Sequence, residues 1–329
     1  MNDFFSKKPY LDSVTKNFIE NLYIEKPLYE MSPDDARDFL STLQRKYHFD
    51  IEADVENVEI FDVEIGSISV KLVRPKNCQE EILPLIVYCH GGGWVIGDFE
   101  TYDMTVKTIA NCTKSAVAFV EYSRAPEFPY PHAFNQVYKA LEYLYENADK
   151  YKIDREHIAI AGDSAGGNLA TVTAMKIKKD DKIKLSFQAL IYPVCDAEMK
   201  TESYREFKNG PWLSKRAMEW FWDSYTDGKD IKKEIFVSPL KAELEDLKGL
   251  PPTLVITGEN DVLRDEGEEY ARKLIEADVD TACVRINNTF HDFMMLNALR
   301  DSKATKAGYK LVCKFLKHAL HPDNICKLQ

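Results

Sequence analysis

One serine stands where a chain could make it reactive. Gly162-Asp163-Ser164-Ala165-Gly166 follows the apolar run Ile158-Ala159-Ile160-Ala161 and precedes a helical stretch over residues 168–179. A G-x-S-x-G segment between strand and helix needs a turn so sharp that the serine backbone is strained and its Oγ projects above the sheet. Strand and helix then crowd the positions two before and two after the serine, where Gly162 and Gly166 leave room. The helix also aims its first amides at this point, which favours negative charge there. Such a hydroxyl is a candidate nucleophile for acyl transfer, provided that a base reaches it.

A second motif, His90-Gly91-Gly92-Gly93-Trp94, directly follows the apolar run 83–89. Successive glycines let backbone N–H groups approach a substrate oxygen with no Cβ in the way. The expected oxyanion hole is therefore the turn His90, Gly91 and Gly92, with the N–H groups of Gly91 and Gly92 joined by that of Ala165. Removing one such donor typically costs about 10²–10³ in rate.

The base must come from seven histidines. His90 belongs to the glycine loop, His48 to N-terminal helices, His132 to a proline-rich turn and His157 to the approach to the serine strand. His318 and His321 fall in a C-terminal helix and its tail. His291 lies in a loop between the final strand and the last helix, and the chain order Ser–acid–His makes it the base. For the acid, residues 254–257 run into Gly258-Glu259-Asn260-Asp261, so Asp261 sits where the chain emerges from a strand. Asp196, just past the preceding strand, is the rival. Asp265 and Glu266 read as first-turn acids of the next helix. The acid would hold the imidazole tautomer and stabilise the imidazolium as it forms.

These residues need a scaffold. Leu11, Val14, Phe18 and Leu22 fall on one helical stripe, and Ser32-Pro33-Asp34-Asp35 combines an N-cap, a proline at N1 and two acids at the positive helix end. Residues 58–63 and 67–72 alternate with period two, as half-buried antiparallel strands do. Residues 83–89, 116–122, 158–161, 187–192 and 253–257 are continuous apolar runs, and 281–286 adds an eighth strand. Helical stretches such as 133–146 and 265–276 separate most of them. The expected class is α/β: a mostly parallel, eight-stranded, doubly wound sheet with the alternating pair at one edge. Residues 196–236 break the pattern, with no strand and three of the four tryptophans. Together with residues 1–50 they are expected to form a helical cap over a core of residues 51–195 and 237–329; the bland alternative is that their aromatics only glue the insert down.

Composition narrows the function from outside. Hydrophobic residues make up 45% and charged residues 29%, a soluble globular profile, and the net charge is −11. An acidic surface argues against non-specific nucleic-acid or anionic-membrane binding. No apolar run approaches the roughly 18–20 residues of a membrane span, and Met1 to Glu30 lacks the apolar core of a signal peptide. The seven cysteines (78, 89, 112, 195, 283, 313 and 326) are odd in number and show no metal-like spacing. They read as reduced, buried thiols of a cytoplasmic protein.

Taken together, the motifs resemble the hormone-sensitive-lipase-like (type IV) carboxylesterases, which include bacterial acetyl esterases and arylacetamide deacetylases. The resemblance runs from about residue 50 to 325. It rests on His90–Trp94, Tyr122-Ser123-Arg124-Ala125-Pro126-Glu127-Phe128-Pro129, Gly162–Asn168 and Ser238-Pro239-Leu240. Leu250-Pro251-Pro252-Thr253, Asp261–Gly267 and His291-Asp292-Phe293 complete it. It implies an α/β-hydrolase fold, a cap, no cofactor or metal, and hydrolysis of short-chain acyl esters, and it supports Asp261 over Asp196. Relatives of this kind form monomers and homodimers. Three departures stand out: the family usually has Leu at Arg124, Pro at Val262, and Gly where Asp292 follows the histidine. Asp292 is expected to raise the His291 pKa by favouring the imidazolium. The same parts would serve an amidase or peptidase, and a non-catalytic receptor on this fold is the remote alternative.

Overall fold

The computed structural model describes residues 9–322; Lys7, Lys8 and Cys326 lie outside them. The alternating segments pair with each other first. β1 (Ala53–Asp62) and β2 (Gly66–Pro75) form an antiparallel hairpin whose Val58, Ile60, Ile68 and Val70 turn inward. β2 pairs antiparallel with β4 (Ala116–Glu121). From β4 onward every pairing is parallel, through β3 (Leu83–Cys89), β5 (Ile153–Asp163), β6 (Phe187–Ile191), β7 (Thr253–Asn260) and β8 (Thr281–Phe290). The order β1-β2-β4-β3-β5-β6-β7-β8 puts the hairpin at one edge, as its alternation requires. All of β3 and β6 is buried, which is why those segments are continuously apolar.

Helices cover this sheet. α3 (Phe99–Thr113) packs with α10 (Lys303–Leu320), and α4 (His132–Glu146) with α5 (Ala165–Asp180), while α9 (Arg264–Glu276) rests on β7 and β8. β6 carries both α5 and α10. The expected eight-stranded doubly wound α/β architecture is the one observed.

Two further groups of helices lie beyond the sheet. The stripe at Phe18 belongs to α1 (Ser13–Asn21), and Ser32 caps α2 (Pro33–Lys46) by accepting from Asp35 N. Arg37 of α2 reaches across to the chain after β3, donating to Val95 O at 2.9 Å, and to the chain after β4, donating to Ala125 O at 3.1 Å. The strandless segment after β6 holds α6 (Glu202–Glu206) and α7 (Lys215–Thr226), followed by the short α8 (Leu244–Leu247). Tyr225 of α7 stacks flat on Trp94 at 4.1 Å, so the aromatic insert does bind the core.

The six described cysteines are free thiols, but only Cys89, Cys195 and Cys313 are buried. Cys112 and Cys283 are exposed, so the expectation of burial fails there. Among the described residues no helix is long and apolar enough to cross a membrane.

Candidate active site

β5 delivers Ser164 and α5 begins at the next residue, so the serine forms the corner itself. Its backbone is held at φ 54° and ψ −121°, left-handed geometry that a non-glycine residue adopts only under constraint. The corner is tight because a Cβ on Gly166 would overlap the carbonyls of Cys89 and His90, and one on Gly162 the carbonyl of Gly166. Glycine is required at both flanks by close approach.

β7 and β8 bring up the other groups. Asp261 follows β7 directly and His291 follows β8 directly. His291 Nε2 lies 2.9 Å from Ser164 Oγ, and His291 Nδ1 lies 2.7 Å from Asp261 Oδ2. Asp261 Oδ1 accepts Leu263 N–H at 2.9 Å, which orients the carboxylate. All three residues are at most 4% exposed. Burial pulls the His291 pKa down, but the carboxylates of Asp261 and Asp292 outweigh it and raise the value to about 9. The rival, Asp196, is engaged elsewhere: its Oδ2 pairs with Lys241 Nζ at 3.0 Å and its Oδ1 accepts Glu198 N–H. Asp265 and Glu266 stand in the first turn of α9, as expected.

The glycine loop departs from expectation. Gly91 N–H is already spent, on Tyr102 Oη at 3.0 Å and Asp163 Oδ1 at 3.2 Å. His90 is buried behind the loop, stacked on Tyr122 at 4.1 Å, and burial lowers its pKa to about 4. Neither residue faces the serine. The chain reverses one residue later, at Gly92 (φ 86°) and Gly93 (φ 59°), and these two line the cavity beside Ser164. Among the described residues no protein acceptor takes the Gly92 or Gly93 amide. Ala165 N–H, at the first turn of α5, is an orphan helix donor. Of the amides expected as donors, that of Gly91 is engaged by Tyr102 and Asp163, and the loop residues lining the cavity are Gly92 and Gly93.

Behind the loop Asp163 collects Tyr88 Oη–H at 2.9 Å and Tyr102 Oη–H at 2.8 Å. Burial raises the Asp163 pKa to about 7 despite these donors. In front of the serine opens a cavity of about 440 Å³. Its walls come from the N-terminal helices (Leu28, Tyr29, Phe39) and from the insert (Trp212, Leu213, Phe221). Asp292 shares this wall, its Oδ1 3.3 Å from His291 Nε2 and its Oδ2 accepting Trp212 Nε1–H at 2.8 Å. Trp212 could not be singled out from its neighbouring aromatics before the fold was known.

Similarity to known proteins identifies the family. A family profile described as the alpha/beta hydrolase fold matches residues 86–295. A thermostable esterase from Pseudomonas putida superposes with a TM-score of 0.92 at 40% identity, covering 96% of this chain and 99% of that one. An alpha/beta hydrolase of Acanthamoeba polyphaga mimivirus is 41% identical over 95% of this chain and 89% of its own length. Carboxylesterase NlhH of Mycobacterium tuberculosis is 35% identical over 78% of this chain and 80% of its own. The chain belongs to the hormone-sensitive-lipase-like branch of the alpha/beta-hydrolase family, and it is a carboxylic-ester hydrolase.

Proposed function

We propose that the protein hydrolyses short-chain carboxylic esters through an acyl-enzyme on Ser164. The observation that carries this reading is the unbroken hydrogen-bonded line from Ser164 Oγ through the His291 ring to Asp261, opening on one apolar cavity. Ser164 attacks the ester carbonyl while Nε2 of His291 takes its proton. The N–H groups of Gly92, Gly93 and Ala165 receive the developing oxyanion. Nε2 then protonates the leaving alcohol, and water activated by the same imidazole releases the acid. Asp261 fixes the Nδ1–H tautomer and stabilises the imidazolium.

Residues 1–50 and 196–236 act as the cap in this reading, since both segments contribute walls to the cavity. The preference for short acyl groups is supported by crowding near the serine. One space of about 440 Å³ must hold both halves of the ester, and the Phe221 ring lies hard against Gly93. The test is a rate series over p-nitrophenyl esters of increasing chain length, with Ser164→Ala as control. Rates should fall beyond the shortest acyl chains, and the variant should remain folded while losing several orders of magnitude in turnover. Turnover retained by Ser164→Ala would end the proposal.

A further inference from the structure

Two thiols distant in sequence meet where α3 and α10 pack together. Cys112 stands in the last turn of α3 and Cys313 in the middle of α10, with their side chains hydrogen-bonded to each other. Contacts on either side fix that register: Tyr309 Oη donates to Thr105 Oγ1 at 3.0 Å, and Ser115 Oγ lies 3.5 Å from His321 Nε2. The two sulfurs differ in access, since Cys112 is exposed and Cys313 is buried. They also differ in acidity. The Cys313 S–H and, against some desolvation, the ammonium groups of Lys114 and Lys317 bring the Cys112 pKa down to about 6. The same hydrogen bond, with burial, pushes Cys313 up, and burial keeps the neighbouring Tyr309 hydroxyl neutral. A cysteine that is accessible and ionised at neutral pH is the reactive kind. Sulfurs already in contact need little side-chain rotation to reach the roughly 2.05 Å of an S–S bond. Among the described residues no group of three side chains is placed to hold a metal ion, so the pair's chemistry is that of a dithiol.

We propose that Cys112 and Cys313 form a peroxide-responsive pair, in which Cys112 is oxidised first and Cys313 resolves it into a disulfide that locks α3 to α10. The Cys112 thiolate attacks one oxygen of hydrogen peroxide, the O–O bond breaks, and the departing hydroxide takes up a proton as water. Cys112 is left as a sulfenic acid, oxidised by two electrons. The Cys313 sulfur then attacks the Cys112 sulfur as its own proton is lost. The S–O bond breaks, and hydroxide leaves with that proton as a second water. Two thiols and one peroxide thus become one disulfide and two waters, and an added dithiol reverses the change by exchange. The bridge joins two helices that brace the catalytic residues. Tyr102 of α3 holds Gly91, while Thr305 and Tyr309 of α10 hold the carbonyls of Phe293 and Met294, just after His291.

The test treats the reduced, full-length protein with hydrogen peroxide at pH 7, blocks remaining thiols with iodoacetamide, and maps the products by mass spectrometry of a non-reducing digest. The Cys112 and Cys313 peptides should appear joined, and dithiothreitol should separate them. Cys283 is the internal control: it is exposed too, but desolvation of its sulfur and Glu268 push its thiol up to about 11. Iodoacetamide alone should label Cys112 about tenfold to a hundredfold faster than Cys283 at pH 7, the larger thiolate fraction outweighing the weaker nucleophilicity of an acidic thiol. In Cys313→Ala, oxidation should stop at a Cys112 sulfenic acid that dimedone traps; in Cys112→Ser, Cys313 should stay reduced. Because the bridge closes a ring of about 200 residues, the oxidised parent should melt about 5 °C above the reduced one. Equal labelling of Cys112 and Cys283 would overturn the proposal. So would a Cys112 joined to any other cysteine, or to a second chain, and a bridged protein that melts no higher than the reduced form.

Discussion

Tyr102 Oη donates to Asp163 Oδ2 at 2.8 Å and at the same time accepts Gly91 N–H at 3.0 Å. One phenol therefore ties the glycine loop to the residue preceding Ser164. Gly91 cannot turn towards a substrate while that link stands, and the loop must reverse at Gly92 and Gly93 instead. Tyr102→Phe removes the donor to a buried carboxylate and one of the two acceptors of Gly91. The expected result is a loss of about 1–3 kcal/mol in unfolding free energy and a fall of about tenfold in kcat as the loop amides loosen. Denaturant unfolding together with ester kinetics would check both; a variant with normal kcat would leave Tyr102 a purely structural residue.

The pH–rate profile should rise into the alkaline range. His291 must be neutral to accept the serine proton, and its pKa stands at about 9 against an ordinary 6.5. Burial works against that rise; Asp261, Asp292 and, more weakly, Asp163 produce it. The acid limb of kcat/KM should therefore titrate near 9, and Asp292→Gly should move it to lower pH. The linkage has the same sign for stability: a raised pKa favours the folded state below about 6.5, and that contribution fades as pH rises to about 9. An acid limb unmoved by Asp292→Gly would sink this assignment.

Strain at Ser164 is separable from its chemistry. At φ 54° and ψ −121° a serine is in a region that glycine enters freely. Ser164→Gly loses one hydrogen bond to His291 but relieves backbone strain of order 1–3 kcal/mol. The variant should be inactive yet at least as stable as the parent, by up to about 1 kcal/mol in chemical unfolding. A clear loss of stability would mean that the corner is not strained.

The sheet was legible almost strand by strand, because parallel strands buried on both faces cannot hide their apolar runs. Polar ends were less visible. β5 begins at Ile153 and continues through Asp154, Arg155, Glu156 and His157, pairing with β3 across a register shift at Pro84 and Leu85. Nothing apolar marks that extension. Asp261 could be preferred to Asp196 from topology, but only the fold shows that Lys241 occupies Asp196. The glycine loop was legible as a motif but not in the direction of its amides. Three consecutive glycines permit an amide reversal at any of them, and the one chosen depends on Tyr102 and Asp163, remote in sequence.

Arg37 supports the loop from the other side. It donates to the carbonyls of Val95 and Ala125 and forms a two-pronged pair with Glu127. The ion pair is half-exposed at Glu127, so solvent and salt weaken it. The carbonyl contacts are more sheltered, and a planar guanidinium reaches both while a lysine ammonium cannot. Arg37→Ala and Arg37→Lys should therefore both raise KM and cost about 1–3 kcal/mol in stability, with lysine giving little rescue. The Arg37 hydrogen bond holds the Glu127 pKa down at about 2, so the pair's own contribution is present above about 4.5 and lost as pH falls towards 2. Stability curves of parent and Arg37→Ala should converge over that acid range. Parallel curves would show that the carbonyl contacts alone hold α2 in place.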